Sequence, residues 1–209
     1  MIQTVLLDID GVLTDGTVWV DGGGREIKRL FFLDIDAIFE LKRAGIKVGF
    51  ITGERNAFCR YVRKRFDPDF FLAGCKDKLA GYRRLLLAQG FDEQSVCYVG
   101  DSHKDIELLR EAAHSFAPAD TDRTVRRAAK VVLQASRGQG VIREVADHIL
   151  LGKYHKAGSV SESQRKGQHS RSTETANLSS RARLNKRPMN GGMVKTAVGR
   201  KQVRHERES

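Results

Sequence analysis

A short apolar run that ends in two acids constrains this chain more than any other stretch. Residues Thr4–Gly16 read TVLLDIDGVLTDG. Four consecutive apolar or β-branched residues have the form of a strand buried on both faces, and such strands belong to parallel sheets. Side chains two apart on a strand share a side, so Asp8 and Asp10 converge where the strand gives out. Paired carboxylates there suit a hard cation such as Mg2+, and one of them could attack an electrophilic phosphorus. The plainer alternative is a strand-end turn in which Asp and Gly supply only loop chemistry.

The rest of the first 155 residues supports a parallel sheet. Apolar runs recur at Val5–Leu7, Val48–Ile51, Phe70–Leu72, Val96–Val99 and Val131–Leu133. Between them lie helical patterns: Phe58, Val62 and Phe66; Leu79, Tyr82 and Leu86; Ile142, Val145 and Ile149. Alternation of this kind predicts an α/β fold with helices on both faces of the sheet. Ligands in such folds bind beyond the carboxyl ends of the strands. Thr17–Val20 and Glu26–Phe31 flank Asp21-Gly22-Gly23-Gly24 and predict a β-hairpin after the first strand. Trp19 on that hairpin could shield a site from water or pack at a subunit contact. No sizeable insertion follows, so no separate lid domain is expected.

Three further motifs fall at strand ends. Ile51-Thr52-Gly53-Glu54 places a hydroxyl and free backbone N–H groups where a helix opens, which suits a phosphate oxygen, although Thr52 could be an ordinary N-cap. Lys78 opens a helix against the macrodipole, a local mismatch that points to neutralising a carboxylate and a phosphoryl group. A solvated surface lysine is the alternative. Gly100-Asp101-Ser102-His103-Lys104-Asp105 sets two acids four residues apart around a strand tip. Asp101 could complete an all-oxygen cation site with Asp8, and Asp105 could steady Lys78 or a metal-bound water; helix capping explains either acid as well.

Charge divides the chain. Residues 156–209 contain no aromatic residue and carry thirteen Lys and Arg against four Glu, while the preceding residues are close to neutral. A segment so poor in apolar side chains cannot offset the entropy of ordering, so a domain over 1–155 and a disordered basic tail over 156–209 are expected. The tail could attract nucleic acid or another polyanion nonspecifically, but it lacks aromatics to stack on bases. Cys59, Cys75 and Cys97 share no metal-ligand spacing and read as reduced thiols in a cytoplasmic protein. No apolar run reaches the roughly 20 residues needed to span a bilayer, and no secretory signal is evident.

The order D-x-D-G-V-x-T, T-G, K, G-D-x-x-x-D, each at a strand end, resembles the haloacid dehalogenase superfamily of phosphohydrolases. Gly11–Gly16, the hairpin, Ala44–Gly49 (AGIKVG) and Gly138–Glu144 (GQGVIRE) narrow the resemblance to its capless branch. That branch contains the 3-deoxy-D-manno-octulosonate (KDO) 8-phosphate phosphatases and the 2-keto-3-deoxynonulosonate (KDN) 9-phosphate phosphatases of sialic-acid pathways. The similarity runs from about Ile2 to Leu151. It implies a Rossmann-like sheet without a cap domain, with Asp8 as nucleophile and Asp10 as the general acid and base. Thr52, Gly53 and Lys78 would hold the phosphoryl group. Mg2+ would lie on the Asp8 and Asp101 carboxylates and the Asp10 carbonyl, with Asp105 in support. The substrate implied is a small phosphorylated sugar acid and the assembly a homotetramer in which a neighbour's C-terminal segment helps cover the site; Glu54, Arg137 and Arg143 are candidate substrate contacts. Arg143 could equally be a surface charge.

Three departures stand out. Glu54 replaces the arginine usual after T-G in the KDO enzymes, which is closer to the sialic-acid side. Ser102 stands where a second aspartate is usual. Leu33–Ile38 lacks the glycines that normally surround the position of Asp34 in a loop before the helix. Another small phosphorylated metabolite as substrate, or a scaffold acting through the basic tail, are the competing expectations.

Overall fold

The computed structural model describes residues 1–152; the expected disordered tail, 156–209, lies outside the described residues. Six parallel strands form one sheet: β1 (Thr4–Leu7), β4 (Lys47–Thr52), β5 (Phe70–Ala73), β6 (Val96–Val99), β7 (His114–Ala117) and β8 (Val131–Val132). Their order is β5-β4-β1-β6-β7-β8, so β1 is central, with Leu7 in register with Phe50 on one side and Val99 on the other. The sheet confirms the expected Rossmann-like α/β class.

Alternation along β1 divides the core into two. Val5 and Leu7 face the layer made by α1 (Phe32–Arg43), α2 (Ala57–Phe66) and α6 (Val141–Leu150), which contributes Ile38, Leu41, Val62, Phe66 and Ile142. Leu6 faces α3 (Lys78–Gln89), α4 (Ile106–Glu111) and α5 (Arg123–Ala128), which contribute Tyr82, Leu85, Leu108, Leu109 and Val125. Both faces of the sheet are therefore covered, as the continuous apolar strands require.

Two elements differ from expectation. The β7 sequence His-Ser-Phe-Ala has no apolar run or clean alternation, yet Ser115 and Phe116 are both buried. Ser115 fits because its hydroxyl donates to the Leu109 carbonyl at 2.6 Å and accepts from the Lys130 N–H at 3.0 Å. The second difference is α1, which begins at Phe32 and so takes in Leu33–Ile38 as helix where a loop was expected. Asp34 is fully buried there. Its carboxylate accepts from the backbone N–H groups of Gly140 (2.9 Å), Ile142 (2.8 Å) and Arg143 (3.0 Å), capping α6 from a distant part of the chain.

The hairpin is present but shorter than expected: β2 (Trp19–Val20) pairs antiparallel with β3 (Glu26–Ile27). Asp21 closes its turn by accepting from Gly23 and Arg25, and Gly24 takes the positive φ that the turn needs. Among the described residues no domain is inserted after β1 or β4. Cys59, Cys75 and Cys97 are all unbridged.

Candidate active site

Beyond the carboxyl ends of β1, β4 and β6 lies a cavity of about 410 Å3. Asp8, Asp10, Thr52, Lys78 and Asp101 all line it, together with Gly53, Glu54 and Arg137. Eight of the ten residues singled out from the sequence thus meet in one place. Of the other two, Asp105 is fully buried in contact with Lys78, and Arg143 is elsewhere.

Asp8 follows β1 directly. Its backbone N–H continues the β1–β6 ladder by donating to the Val99 carbonyl at 3.0 Å. One carboxylate oxygen accepts from the Ile9 N–H at 2.7 Å, and the other lies 2.7 Å from the Lys78 ammonium. Burial pushes the Asp8 carboxyl up to about 7 against the pull of Lys78, with Asp105 and Asp101 adding negative charge nearby.

Lys78 is the first residue of α3, which Asp77 caps by accepting from the Ala80 N–H. Its ammonium bridges Asp8 and Asp105, the latter at 2.6 Å, in an almost fully buried position. Burial alone would lower the Lys78 pKa; the two carboxylates hold it above the ordinary value instead. Asp105 is the best-satisfied acid of the site. One oxygen accepts from Lys78 and from the Tyr98 hydroxyl at 2.6 Å. The other accepts from the Ser102 N–H at 2.9 Å, the Ser102 hydroxyl at 2.7 Å and the Asp101 N–H at 3.2 Å. Despite burial, these partners keep Asp105 below the usual carboxylate range. Ser102, where a second aspartate is usual in the branch, thus spends its hydroxyl on Asp105.

Asp101 is held differently. One of its oxygens is buried and has no hydrogen-bond partner. Burial, then the charge of Asp105, pushes its carboxyl up to about 6, with Arg137 and Lys78 pulling the other way. Oxygens of Asp8, Asp101 and Asp105 lie within 4.8 Å of one another. A buried carboxylate oxygen without a donor, next to a second carboxylate, fits a hard divalent cation. Gly11 makes this corner possible: at φ +83°, a Cβ there would fall 1.9 Å from an Asp101 oxygen.

On the opposite side of the cavity, the Thr52 hydroxyl accepts from the Glu54 N–H at 3.1 Å. Its proton is left to donate into the cavity. Asp10 sits in the loop after β1, and one of its oxygens takes two donors: the Lys28 ammonium at 2.6 Å and the Thr14 hydroxyl at 3.3 Å.

Two placements refine or add to the expectation. Arg143 does not line the cavity of its own chain; its guanidinium pairs with Glu40 and with Asp147 at 2.7 Å. The cation that α6 and its preceding loop bring to the site is Arg137, 3.8 Å from Asp101. Lys28 is the second. Its side chain is only 4% exposed although the hairpin around it is open to solvent. The signal was the strand period: Lys28 and Leu30 share the inward side, while Ile27 and Arg29 point out. His103 and Lys104, which carried no expected role, also border the cavity.

The family profile of haloacid dehalogenase-like hydrolases matches residues 71–145. The chain is 30% identical over 152 residues to the 3-deoxy-D-manno-octulosonate 8-phosphate phosphatase KdsC of Yersinia pestis, covering 73% of this chain and 81% of the relative. It is 32% identical over 149 residues to the same phosphatase of Haemophilus influenzae, covering 71% and 83%. Among solved structures it resembles that phosphatase from Moraxella catarrhalis in complex with magnesium, phosphate and KDO. The TM-score is 0.69 at 27% identity, over 72% of this chain and 86% of that one. With the strand-end acids, the buried lysine and the uncapped sheet in one arrangement, the chain belongs to the haloacid dehalogenase-like phosphatases of the KDO 8-phosphate phosphatase type.

Proposed function

We infer that this phosphatase is a Mg2+-dependent phosphomonoesterase that works through an aspartyl-phosphate on Asp8. Its proposed substrate is a 3-deoxy-ulosonate phosphate, KDO 8-phosphate or KDN (sialic acid) 9-phosphate. The observation that carries this is the line Asp8–Lys78–Asp105, joined by contacts of 2.7 and 2.6 Å, beside an Asp101 oxygen with no partner. The arrangement balances a buried nucleophile with one fixed cation and leaves a corner for another.

The Asp8 carboxylate attacks phosphorus while Asp10 gives a proton to the departing sugar oxygen. Water then attacks the aspartyl-phosphate and Asp10 takes its proton back, releasing phosphate and restoring Asp8. The Thr52 hydroxyl and the Lys78 ammonium hold phosphoryl oxygens, and Asp105 keeps Lys78 in place. The Asp8 and Asp101 carboxylates and the Asp10 carbonyl would hold Mg2+, whose positive charge offsets repulsion between a dianionic phosphate and the acids. Magnesium in the Moraxella catarrhalis relative supports that choice of cation.

Arg137 at the cavity edge suits the carboxylate of an ulosonic acid. The nine-carbon sugar is the alternative to KDO because Glu54, rather than a cation, borders the cavity after Thr52-Gly53. Another phosphorylated metabolite remains the second reading on the same ground. The hairpin exposes Trp19, Val20 and Ile27, and α1 adds Phe32 and Leu33, a surface that fits burial between copies in a homotetramer. No helix among the described residues is long and apolar enough to cross a membrane. Unbridged cysteines support a cytoplasmic enzyme.

The test is Mg2+-dependent phosphate release from KDO 8-phosphate and KDN 9-phosphate by wild type and Asp8→Asn. Turnover of one of them by wild type, abolished in a folded Asp8→Asn protein, is the expected result. Release from neither ester would remove the substrate assignment, and turnover by Asp8→Asn would remove the nucleophile.

A further inference from the structure

We propose that Lys28 is the positioning residue for Asp10, so that the hairpin sets the direction in which the acid of the site hands over its proton. This deepens the reading of Asp10 as the proton carrier and rests on it. The Lys28 ammonium lies 2.6 Å from one Asp10 oxygen, and the Thr14 hydroxyl lies 3.3 Å from the same oxygen. Both donors use Oδ1. That leaves Oδ2 as the oxygen open to face the phosphoryl group.

The ammonium is fixed from its other side as well. It stands 5.3 Å from the centre of the Phe58 ring, a cation–π contact that ties the hairpin residue to α2. With 4% of its side chain exposed, Lys28 is the one buried cation on a hairpin whose neighbouring residues, Arg25, Glu26, Ile27 and Arg29, are open to solvent. An exposed hairpin does not bury a lysine without a partner that compensates its lost hydration. Asp10 is that partner.

Lys28 does not line the cavity. It approaches Asp10 from behind, so its contribution goes to proton transfer rather than to substrate affinity. In the first half of the reaction the Asp8 oxygen–phosphorus bond forms, the bond from phosphorus to the leaving oxygen breaks, and the Oδ2 proton of Asp10 moves to that oxygen. In the second half the water oxygen–phosphorus bond forms, the bond to Asp8 breaks, and the water proton returns to Oδ2. Lys28 and Thr14 keep Oδ2 facing the phosphoryl group in both halves.

The experiment compares wild type, Lys28→Met, Lys28→Arg and Asp10→Asn on KDO 8-phosphate and on p-nitrophenyl phosphate, with circular dichroism to confirm folding. The ratio kcat/KM reports steps up to departure of the alcohol. A sugar alkoxide needs a proton to leave, whereas nitrophenolate does not. Lys28→Met should lower kcat/KM on the sugar phosphate by about 10- to 100-fold, the scale of a misplaced catalytic group, with a distinctly smaller loss on the aryl ester. Inhibition by inorganic phosphate should be unchanged, and Lys28→Arg should recover part of the loss. Equal losses on both esters would mean a structural role and overturn the proposal. So would an impaired Asp10→Asn beside an unimpaired Lys28→Met, which would leave the reading of Asp10 standing. An Asp10→Asn enzyme as fast as wild type on the sugar phosphate would overturn that reading and the proposal together.

Discussion

Lys78 is ion-paired to Asp8 at 2.7 Å in a position that admits almost no solvent. The same ammonium holds Asp105 at 2.6 Å, so one cation balances two buried carboxylates. Lys78→Met would leave both without it. Removing one partner from a buried pair costs about 3–5 kcal/mol. Urea denaturation should show a loss on that scale, and phosphate release should disappear. A Lys78→Met protein as stable as wild type would show that these acids are protonated in the native state.

Buried acids of this kind make metal-free stability depend on pH with a definite sign. Asp8 is pushed up to about 7 and Asp101 to about 6, both above the ordinary 3.8. A carboxyl raised in the folded state binds its proton more tightly there than in the unfolded chain. Stability therefore rises as pH falls from about 7 toward the ordinary carboxylate range, and it is lost again on the way up. Asp105, held low, loses its contribution only below that window. In chelator the melting temperature should be higher near pH 5.5 than near pH 8. Mg2+ binds the ionised acids, so its stabilising shift should be larger near pH 8. Equal Mg2+ shifts at both values would contradict the assignment of these acids to the cation.

Gly11 offers a probe of that corner. Its positive φ and the 1.9 Å approach of a Cβ to Asp101 mean that Gly11→Ala must displace the Asp101 carboxylate. Disturbing groups that orient metal ligands typically weakens affinity by about 10- to 100-fold. Activity titrated with Mg2+ should show an apparent affinity lower by that order, with turnover partly recovered at high Mg2+.

Asp34 supplies three backbone N–H groups of the α6 end with an acceptor. Asp34→Ala should cost about 2 kcal/mol in a denaturation experiment, since a lost cap here also leaves buried donors unpaired. Because the capped turn follows Arg137 in the chain, KM for the sugar phosphate should rise as well.

The exposed hairpin gives the assembly prediction. Trp19 is 68% exposed and Val20 64% exposed in the single chain. If copies bury these side chains against one another, Trp19→Glu should shift sedimentation from the proposed tetramer to smaller species. An unchanged tetramer would place the interface elsewhere.

Much of this was legible in the sequence because it is local. An apolar run ending in Asp8 and Asp10, a lysine out of place at Lys78, and acids spaced around the β6 tip each carry their meaning within a few residues. The contacts that were missed join distant segments. Asp34 meets Gly140 across 106 positions, and Lys28 meets Asp10 across 18, through a hairpin whose period marks an inward side but not what that side docks on. Arg143 pairs within its own chain for the same reason: its partner Glu40 lies on α1, 103 positions away. β7 escaped because hydrogen bonding, not apolarity, makes Ser115 acceptable in the core.

Gly138 has its own consequence for how the enzyme comes into being. A Cβ at that position would lie 2.3 Å from the Asp15 N–H nitrogen, so the two backbones nearly touch. The Thr14–Asp15 turn, which follows the Asp8–Asp10 loop, is thus packed against residues synthesised more than a hundred positions later. During translation that turn is made early and gains its backbone neighbour late, so a ribosome-bound chain stalled before Gly138 would lack this contact.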